Sequence, residues 1–297
     1  MSHEPSCCML GKLSSDPSVW PTTRPGISVL IRTYNSARTL DDVLRRLPLE
    51  ENDELIIVDS GSTDSTTSLA QSHHARIVQL DRPFNYSAAL NRGFEQSKNE
   101  WVLVISSHAI PQSPDLIERV RSFATIASTD FVVGYGICHL AAPDGPAHNE
   151  RVGDPLGTQL RSLHVSQIGG NGLAVYRKSA WLQHNFDEGI VTAEDLEWFL
   201  WTQSKGYKAA KIAGANAIYR NQGSLTHMFS KGWNEVRQAK MLLPSCPDSL
   251  IVICHGWVIG SLHLLRLAIE RRLPLGAMLR QQSHLLGAFL ARIQGRR

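Results

Sequence analysis

Short apolar runs alternate with one-faced periodic stretches through the first hundred residues of this chain. GISVLIRTYN (26–35) is rich in β-branched residues and closes on polar turn formers, the mark of a buried strand. In ARTLDDVLRRLP, Leu40, Val43, Leu44 and Leu47 follow the i, i+3, i+4, i+7 spacing of a helix with one apolar face, and Pro48 stops it. LIIVDSGSTD (55–64) is a second strand, STTSLAQSHH a helix, and ARIVQL (75–80) a strand. NYSAALNRGFEQSK (85–98) then reads as a helix and WVLVIS (101–106) as a strand. These strands are continuous apolar runs, not alternating ones. Such runs belong to a parallel sheet covered on both faces, so the fold class is α/β.

After residue 111 the pattern loosens. FVVGYGICHL (131–140) reads as a strand, APDGPAHNERVGDP as a loop, and GGNGLAVYRKSAW (169–181) as a glycine-rich approach to another strand. TAEDLEWFLWTQSKGY is a helix with a glycine stop, in which Trp198, Phe199 and Trp201 pack. KAAKIAGANAIYR (208–220) reads as a strand pair or a strand plus a turn. From 224 the chain is mostly helical, and the Trp233 region is read mostly as core, with the lining of an acceptor groove as the alternative. The expected organisation is a flexible segment over 1–25, an α/β domain over 26–222 and a helical region over 223–297.

Composition narrows the class. A chain of 297 residues can bury a sizeable core, and a formal charge of +3 gives no case for nucleic acid as a partner. Five cysteines without metal-ligand spacing read as reduced thiols. Residues 1–25 lack the apolar run of a secretory signal, so the expected location is cytoplasmic. Leu250–Ile269 is about as long as a bilayer is thick, yet holds His255, His263 and Arg266, which favours a buried or membrane-surface helix. GAMLRQQSHLLGAFLARIQGRR is apolar on one side and basic on the other. It fits either a packed helix with a solvated arginine face or one lying on an anionic membrane.

Ligands of an open parallel sheet bind at the carboxyl ends of its strands. Those ends carry Thr33, Tyr34 and Asn35, then Asp59, Ser60 and Gly61, then Ser106, Ser107 and His108. The three clusters should converge on one crevice. Asp64 sits where a helix cap would. Neither a G-x-G-x-x-G after the first strand nor a P-loop is present. FDEGIVTAEDLEWFLW holds the acid/base candidates. Thr192 and Asp195 have the spacing of a helix N-cap and its reciprocal carboxylate, so capping and catalysis both fit Glu194 and Asp195. Capping alone would leave Asp187, Glu188, Glu194 and Asp195 as an unexplained acidic cluster.

The succession ISVLIRTYN, LIIVDSGSTD, ALNRGFEQSKNEWVLVISSHAIP, GGNGLAVYRKSAW and FDEGIVTAEDLEW resembles family 2 glycosyltransferases with the GT-A fold. It looks most like their bacterial rhamnosyltransferase-type branch, over roughly residues 26–220, about two thirds of the chain. The resemblance implies a GT-A, mostly parallel sheet with helices on both faces, followed by a helical C-terminal region. It implies an inverting transfer from a nucleoside-diphosphate sugar to a saccharide or lipid-linked acceptor in polysaccharide synthesis. Peripheral contact with the cytoplasmic face of the membrane through the C-terminal helix goes with a lipid-linked acceptor. Tyr34 would lie against the nucleobase and Asp59 would bond it, with Thr33, Asn35, Ser60 and Gly61 beside them. Asn85, Asn91, Ser106 and Ser107 would line the nucleotide and sugar, and Asn171 the acceptor. Asp195 would be the general base, and Glu194 would orient it or the acceptor.

One departure matters. Family members usually carry Asp-x-Asp where this chain has Ser106-Ser107-His108, so the expected Mn²⁺ or Mg²⁺ loses both carboxylates. The histidine that often completes such a metal site falls near Arg220 or Gln222, with His227 a few residues on. A weak metal site using His108, a metal-free site in which His108 and a basic residue neutralise the diphosphate, and a catalytically silent GT-A-like module that binds nucleotide or glycan all fit this replacement. So does a plain turn histidine. A nucleotidyltransferase would want a glycine-rich phosphate loop after the first strand, and RTYNSART is a poor one.

Overall fold

The structure is a computed structural model that describes residues 24–140, 163, 170–220, 224–243, 261–262, 264–266, 269–270 and 275–294. Residues 1–23 of the segment read as a lead-in, the loop read at 142–155, Gln222 and most of Leu250–Ile269 lie outside the described residues.

The opening alternation is observed as β1 (Ile27–Thr33), α1 (Ala37–Leu44), β2 (Glu54–Asp59), α2 (Thr66–Ser72), β3 (Arg76–Gln79), α3 (Tyr86–Gln96) and β4 (Trp101–Ile105). β5 (Ala109–Pro111) and α4 (Leu116–Ile126) follow, then β6 (Phe131–Leu140), β7 (Leu173–Arg177), α5 (Lys178–Trp181), α6 (Glu194–Ser204) and β8 (Lys208–Tyr219). Two long helices close the described chain, α7 (Leu225–Leu242) and α8 (Leu275–Gln294).

The strands form one sheet in the order β3-β2-β1-β4-β7-β6-β8-β5. β3–β2, β2–β1, β1–β4 and β6–β8 are parallel, as apolar runs with helical crossovers require. β4–β7, β7–β6 and β8–β5 are antiparallel. Both faces are covered. Ile27, Val29 and Ile31 point to one core with Leu40, Val43 and Phe123, while Leu30 points to the other with Phe94, Tyr176 and Trp198. α1 ends at Leu44, but Leu47 is still buried beyond it.

Residues 208–219 differ from the strand pair, or strand plus turn, expected over 208–220. They form one bent strand whose register against β6 jumps between Tyr135–Lys211 and Ile137–Asn216. Gly214 sits in that bulge at φ +69°, and the Arg119 guanidinium fills the space a side chain would need. The glycine that signals a turn here makes a bulge.

Candidate active site

The three strand ends meet. Thr33 Oγ1 donates to Asp59 Oδ1 at 2.8 Å, and the Ser60 amide donates to the Thr33 carbonyl at 3.0 Å. Asp59 is buried, and its Oδ2 accepts the amides of Gly61 (3.1 Å) and Ser62 (2.9 Å). Gly61 supplies the φ of +88° this turn needs. Asn35, itself at φ +47°, accepts the Thr63 amide at 2.8 Å and donates its own amide to Ser62 Oγ at 2.9 Å. Asp64 Oδ1 accepts the Thr66 amide at the start of α2, and its Oδ2 accepts the Ala37 amide at the start of α1. β4 joins through a Ser36–Ser107 hydroxyl pair at 3.0 Å and through Thr39 Oγ1 with His108 Nδ1 at 3.2 Å.

The cleft above these ends has a volume of about 990 Å³. Thr33, Tyr34, Asn35, Ser106, Ser107 and His108 line one side of it, and Asn171, Glu194 and Asp195 another. Tyr34 is 61% exposed there. Asp59, Ser60 and Gly61 stand behind the wall and brace Thr33. Asn85 and Asn91 are outside the wall too. Asn85 caps α3 by accepting the Ala88 amide at 2.9 Å and donates to the Glu188 carbonyl at 3.1 Å. Buried Asn91 accepts from Trp181 Nε1 and the Phe186 amide, and donates to the Phe186 carbonyl and Glu188 Oε1. That uses an amide's full capacity, so Asn91 has nothing left for a ligand.

The capping-box geometry expected of Thr192 and Asp195 does not form. The N-cap residue of α6 is Ala193, held at φ +65° with no side-chain cap. This left-handed residue turns the next two carboxylates into the cleft. Glu194 Oε1 accepts from Arg32 Nη1 at 3.2 Å and from Asn171 Nδ2 at 3.0 Å. Asp195 Oδ2 accepts the Asn171 amide at 3.1 Å, and Oδ1 the Leu196 amide at 2.8 Å. Asn171 is itself fixed by the Tyr176 hydroxyl at 2.6 Å. The wider acidic cluster is not assembled either. Glu188 pairs with Arg82 at 2.6 Å, and Asp187 accepts the Gly189 amide. Burial, then the neighbouring Glu194 charge and more weakly Glu235, push the Asp195 carboxyl up to about 7, against the pull of its two amide donors. A carboxylate with that affinity for protons is poised as a base near neutrality.

The Ser106–His108 turn is occupied by its own contacts. Ser106 Oγ accepts the His108 amide at 3.3 Å, and Ser107 and His108 reach α1 and its cap as above. His108 is held below the usual histidine range, first by burial and then by the charges of Lys231 and His227. Arg220 turns to Asp42 at 3.3 Å, while His227 lines the cleft. Among the described residues, no three His, Cys, Asp or Glu side chains are grouped to hold a metal. Two hydroxyls and an imidazole facing an ammonium are a poor donor set for Mg²⁺ or Mn²⁺, which want carboxylate oxygen. The residues of this turn do not fit the ion that the resemblance implies.

The sequence reading missed several wall residues, namely Arg32, Ser36, Tyr86, Tyr219, Lys231 and Glu235. Arg32 lies over the Tyr86 ring at 5.0 Å. Lys231 lies 5.6 Å from the Tyr219 ring and 3.8 Å from Glu235, which pairs more closely with His284 at 2.8 Å. His227, Lys231 and Glu235 recur every fourth residue, a polar stripe that a helical-wheel reading of α7 would have exposed. Trp233 is half-buried, stacks near Phe229 and is not in the wall.

Residues 28–181 match the family model described as Glycosyl transferase family 2. The chain belongs to that family. This family 2 glycosyltransferase is 23% identical over 205 residues to the O-antigen chain rhamnosyltransferase WbaN of Salmonella anatum, a match spanning 65% of each chain. It is 33% identical over 107 residues to the undecaprenyl-phosphate 4-deoxy-4-formamido-L-arabinose transferase of Pseudomonas aeruginosa, spanning 31% of this chain and 32% of that one. The matches thus cover less than two thirds of these relatives' lengths. Among solved structures, the mannosyltransferase PcManGT of Pyrobaculum calidifontis, in complex with GDP-Man and Mn²⁺, superposes with a TM-score of 0.61 at 18% identity, covering 94% of this chain and 90% of that one. Glucosyl-3-phosphoglycerate synthase of Mycobacterium tuberculosis gives a TM-score of 0.55 at 22% identity, covering 76% and 82%. These structural likenesses establish the GT-A fold.

Proposed function

We propose that this glycosyltransferase moves a sugar, with inversion, from a nucleoside-diphosphate sugar to a hydroxyl of a saccharide or lipid-linked acceptor. Asp195 is the general base. The observation that carries this reading is the Asp195 carboxylate in the cleft, fixed by two amides and with its proton affinity raised to near neutrality. It takes the proton of the acceptor hydroxyl as that oxygen bonds to the anomeric carbon. The bond to the nucleoside diphosphate breaks on the opposite face, and its electron pair leaves with the phosphate. Glu194 and Asn171 hold Asp195 and the acceptor side. Thr33, Tyr34 and Asn35 receive the nucleoside, with Asp59, Ser60 and Gly61 behind them, and Ser106 and Ser107 border the sugar.

The relatives' names support a cell-envelope acceptor. Residues 26–222 form the catalytic domain, and 223–297 add the wall carried by α7. No described helix is long and apolar enough to cross a membrane. Leu279, Leu286 and Leu290 are exposed on α8 within a basic tail, which fits peripheral contact with an anionic cytoplasmic face. The test is Asp195→Asn, assayed for transfer and for nucleotide binding. Loss of transfer with binding kept supports the base role, and retained turnover removes it. The inward-turned Ser106–His108 cluster favours a second reading, a non-catalytic nucleotide- or glycan-binding module. Asp195-dependent donor hydrolysis would exclude that module.

A further inference from the structure

A departing diphosphate gains a negative charge as its bond to the sugar breaks, and a site that speeds this step must meet that charge with a fixed positive one. At the carboxyl end of β4 the chain offers no carboxylate to hold a cation for that purpose, and its Ser107 hydroxyl, His108 Nδ1 and Ser106 Oγ are engaged with Ser36, Thr39 and the turn's own amide. The compensating charge has to come from elsewhere in the wall. Arg32 is spent on Glu194 and the Tyr86 carbonyl, and Arg220 on Asp42. Lys211 lines the cleft on β8 but is exposed.

Lys231 is different. It is half-buried, projects from α7 into the cleft and is felt electrostatically at His108. Its acidic neighbour Glu235 is drawn off towards His284, at 2.8 Å against 3.8 Å for Lys231. Beyond its hydrogen bond to Tyr219 and the longer pairing with Glu235, the ammonium keeps donor capacity for a ligand. Lys231 stays fully protonated at neutral pH, its proton affinity raised by Tyr219, Glu235 and Tyr86 against the pull of burial. The helix that carries it is set rigidly. A side chain at Gly232 would strike the His284 carbonyl at 2.1 Å, and one at Gly287 the Phe229 carbonyl at 2.1 Å, so α7 and α8 touch backbone to backbone beside Lys231. His227 stands one turn before it on the same face.

We propose that Lys231, with His227 beside it, binds the diphosphate of the nucleotide sugar in this chain and does the work of the divalent metal that the Ser106–His108 turn is not built to hold. This rests on the transferase reading above. The carbon–oxygen bond at the anomeric centre breaks towards the phosphate oxygen, which keeps the electron pair. The Lys231 ammonium bonds that oxygen and no proton needs to move.

The test is calorimetric titration of the full chain with UDP, GDP and dTDP, each in excess EDTA and in excess MnCl₂. The expected result is that at least one nucleoside diphosphate binds in EDTA as tightly as in Mn²⁺. Lys231→Met should then weaken it by about tenfold to hundredfold, the scale of a charge-assisted hydrogen bond, while Lys231→Arg restores most of the loss. Melting curves of both variants report folding independently. Binding that needs Mn²⁺, or binding in EDTA that a folded Lys231→Met leaves unchanged, overturns the proposal while the transferase reading stands. Absence of binding by all three in both media overturns both.

Discussion

Arg32 and Glu194 meet across the cleft floor, Nη1 to Oε1 at 3.2 Å, although 162 residues separate them. Both side chains are well buried, at 14% and 7% exposure. The pair ties the first strand to the N-terminus of the helix that carries Asp195. Arg32→Leu leaves a buried carboxylate without its partner and is expected to cost about 3 kcal/mol. Urea denaturation measures this. Adding Glu194→Gln to the same chain should recover much of the loss. If the double variant is no more stable than Arg32→Leu, the pair is not what holds the floor together.

The Asp195 carboxyl, raised to about 7 and facing Glu194 and Glu235, makes two predictions of opposite sign in pH. For activity, kcat/KM should fall about tenfold per pH unit well below 7, because the base must be deprotonated. For stability, the folded state holds a proton that the unfolded chain, with an ordinary aspartate near 3.8, has lost. Between those values the native state binds more protons, so stability declines as pH rises through that window. Asp195→Asn should flatten this part of the stability profile, and an unchanged slope would assign it to other groups.

Ala193 at φ +65° stores strain next to the two carboxylates. Glycine there relieves about 1–2 kcal/mol of steric cost and gives back about 0.5–1 in chain entropy. Ala193→Gly is expected to melt slightly higher than the parent, with a lower kcat because the hinge under Asp195 is freer. A lower melting temperature would show that Ala193 is not strained.

Gly232 faces the His284 carbonyl with no room for a methyl group. Gly232→Ala should push α7 from α8 at a cost of about 1–3 kcal/mol, as overpacking does. It should also move Lys231 and weaken nucleoside-diphosphate binding more than Lys231→Arg does. Calorimetry on the two variants side by side decides this.

Much of the fold was legible in the amino-acid order, and particular residues show where that ended. The apolar runs at Ile27–Thr33, Glu54–Asp59 and Trp101–Ile105 and the spacing of Leu40, Val43 and Leu44 gave the strands and the first helix, because burial on one or both faces leaves a period in the sequence. Helix α4 went unread. Its buried side includes Arg119 and Arg121, and Arg121 is kept there by Asp53 at 2.9 Å and the Pro25 carbonyl at 2.6 Å. A buried arginine looks like a surface position until its distant partner is known. The antiparallel entry of β7 beside β4 was equally silent, since an apolar run carries no direction.

The site divides the same way. The sequence alone determined that polar clusters close three strands, that Glu194 and Asp195 open a helix, and that the cluster Ser106-Ser107-His108 at the end of β4 carries no carboxylate. These are local facts of residue type and spacing. Only the tertiary structure decided that Asn91 is consumed by Trp181 and Phe186, that Ala193 rather than Thr192 starts α6, and that Lys231 enters the cleft more than a hundred residues from the turn it faces. Each of these depends on a contact between segments far apart in the chain, and hydrogen-bond satisfaction and charge compensation are properties of neighbours in space that no sequence window contains.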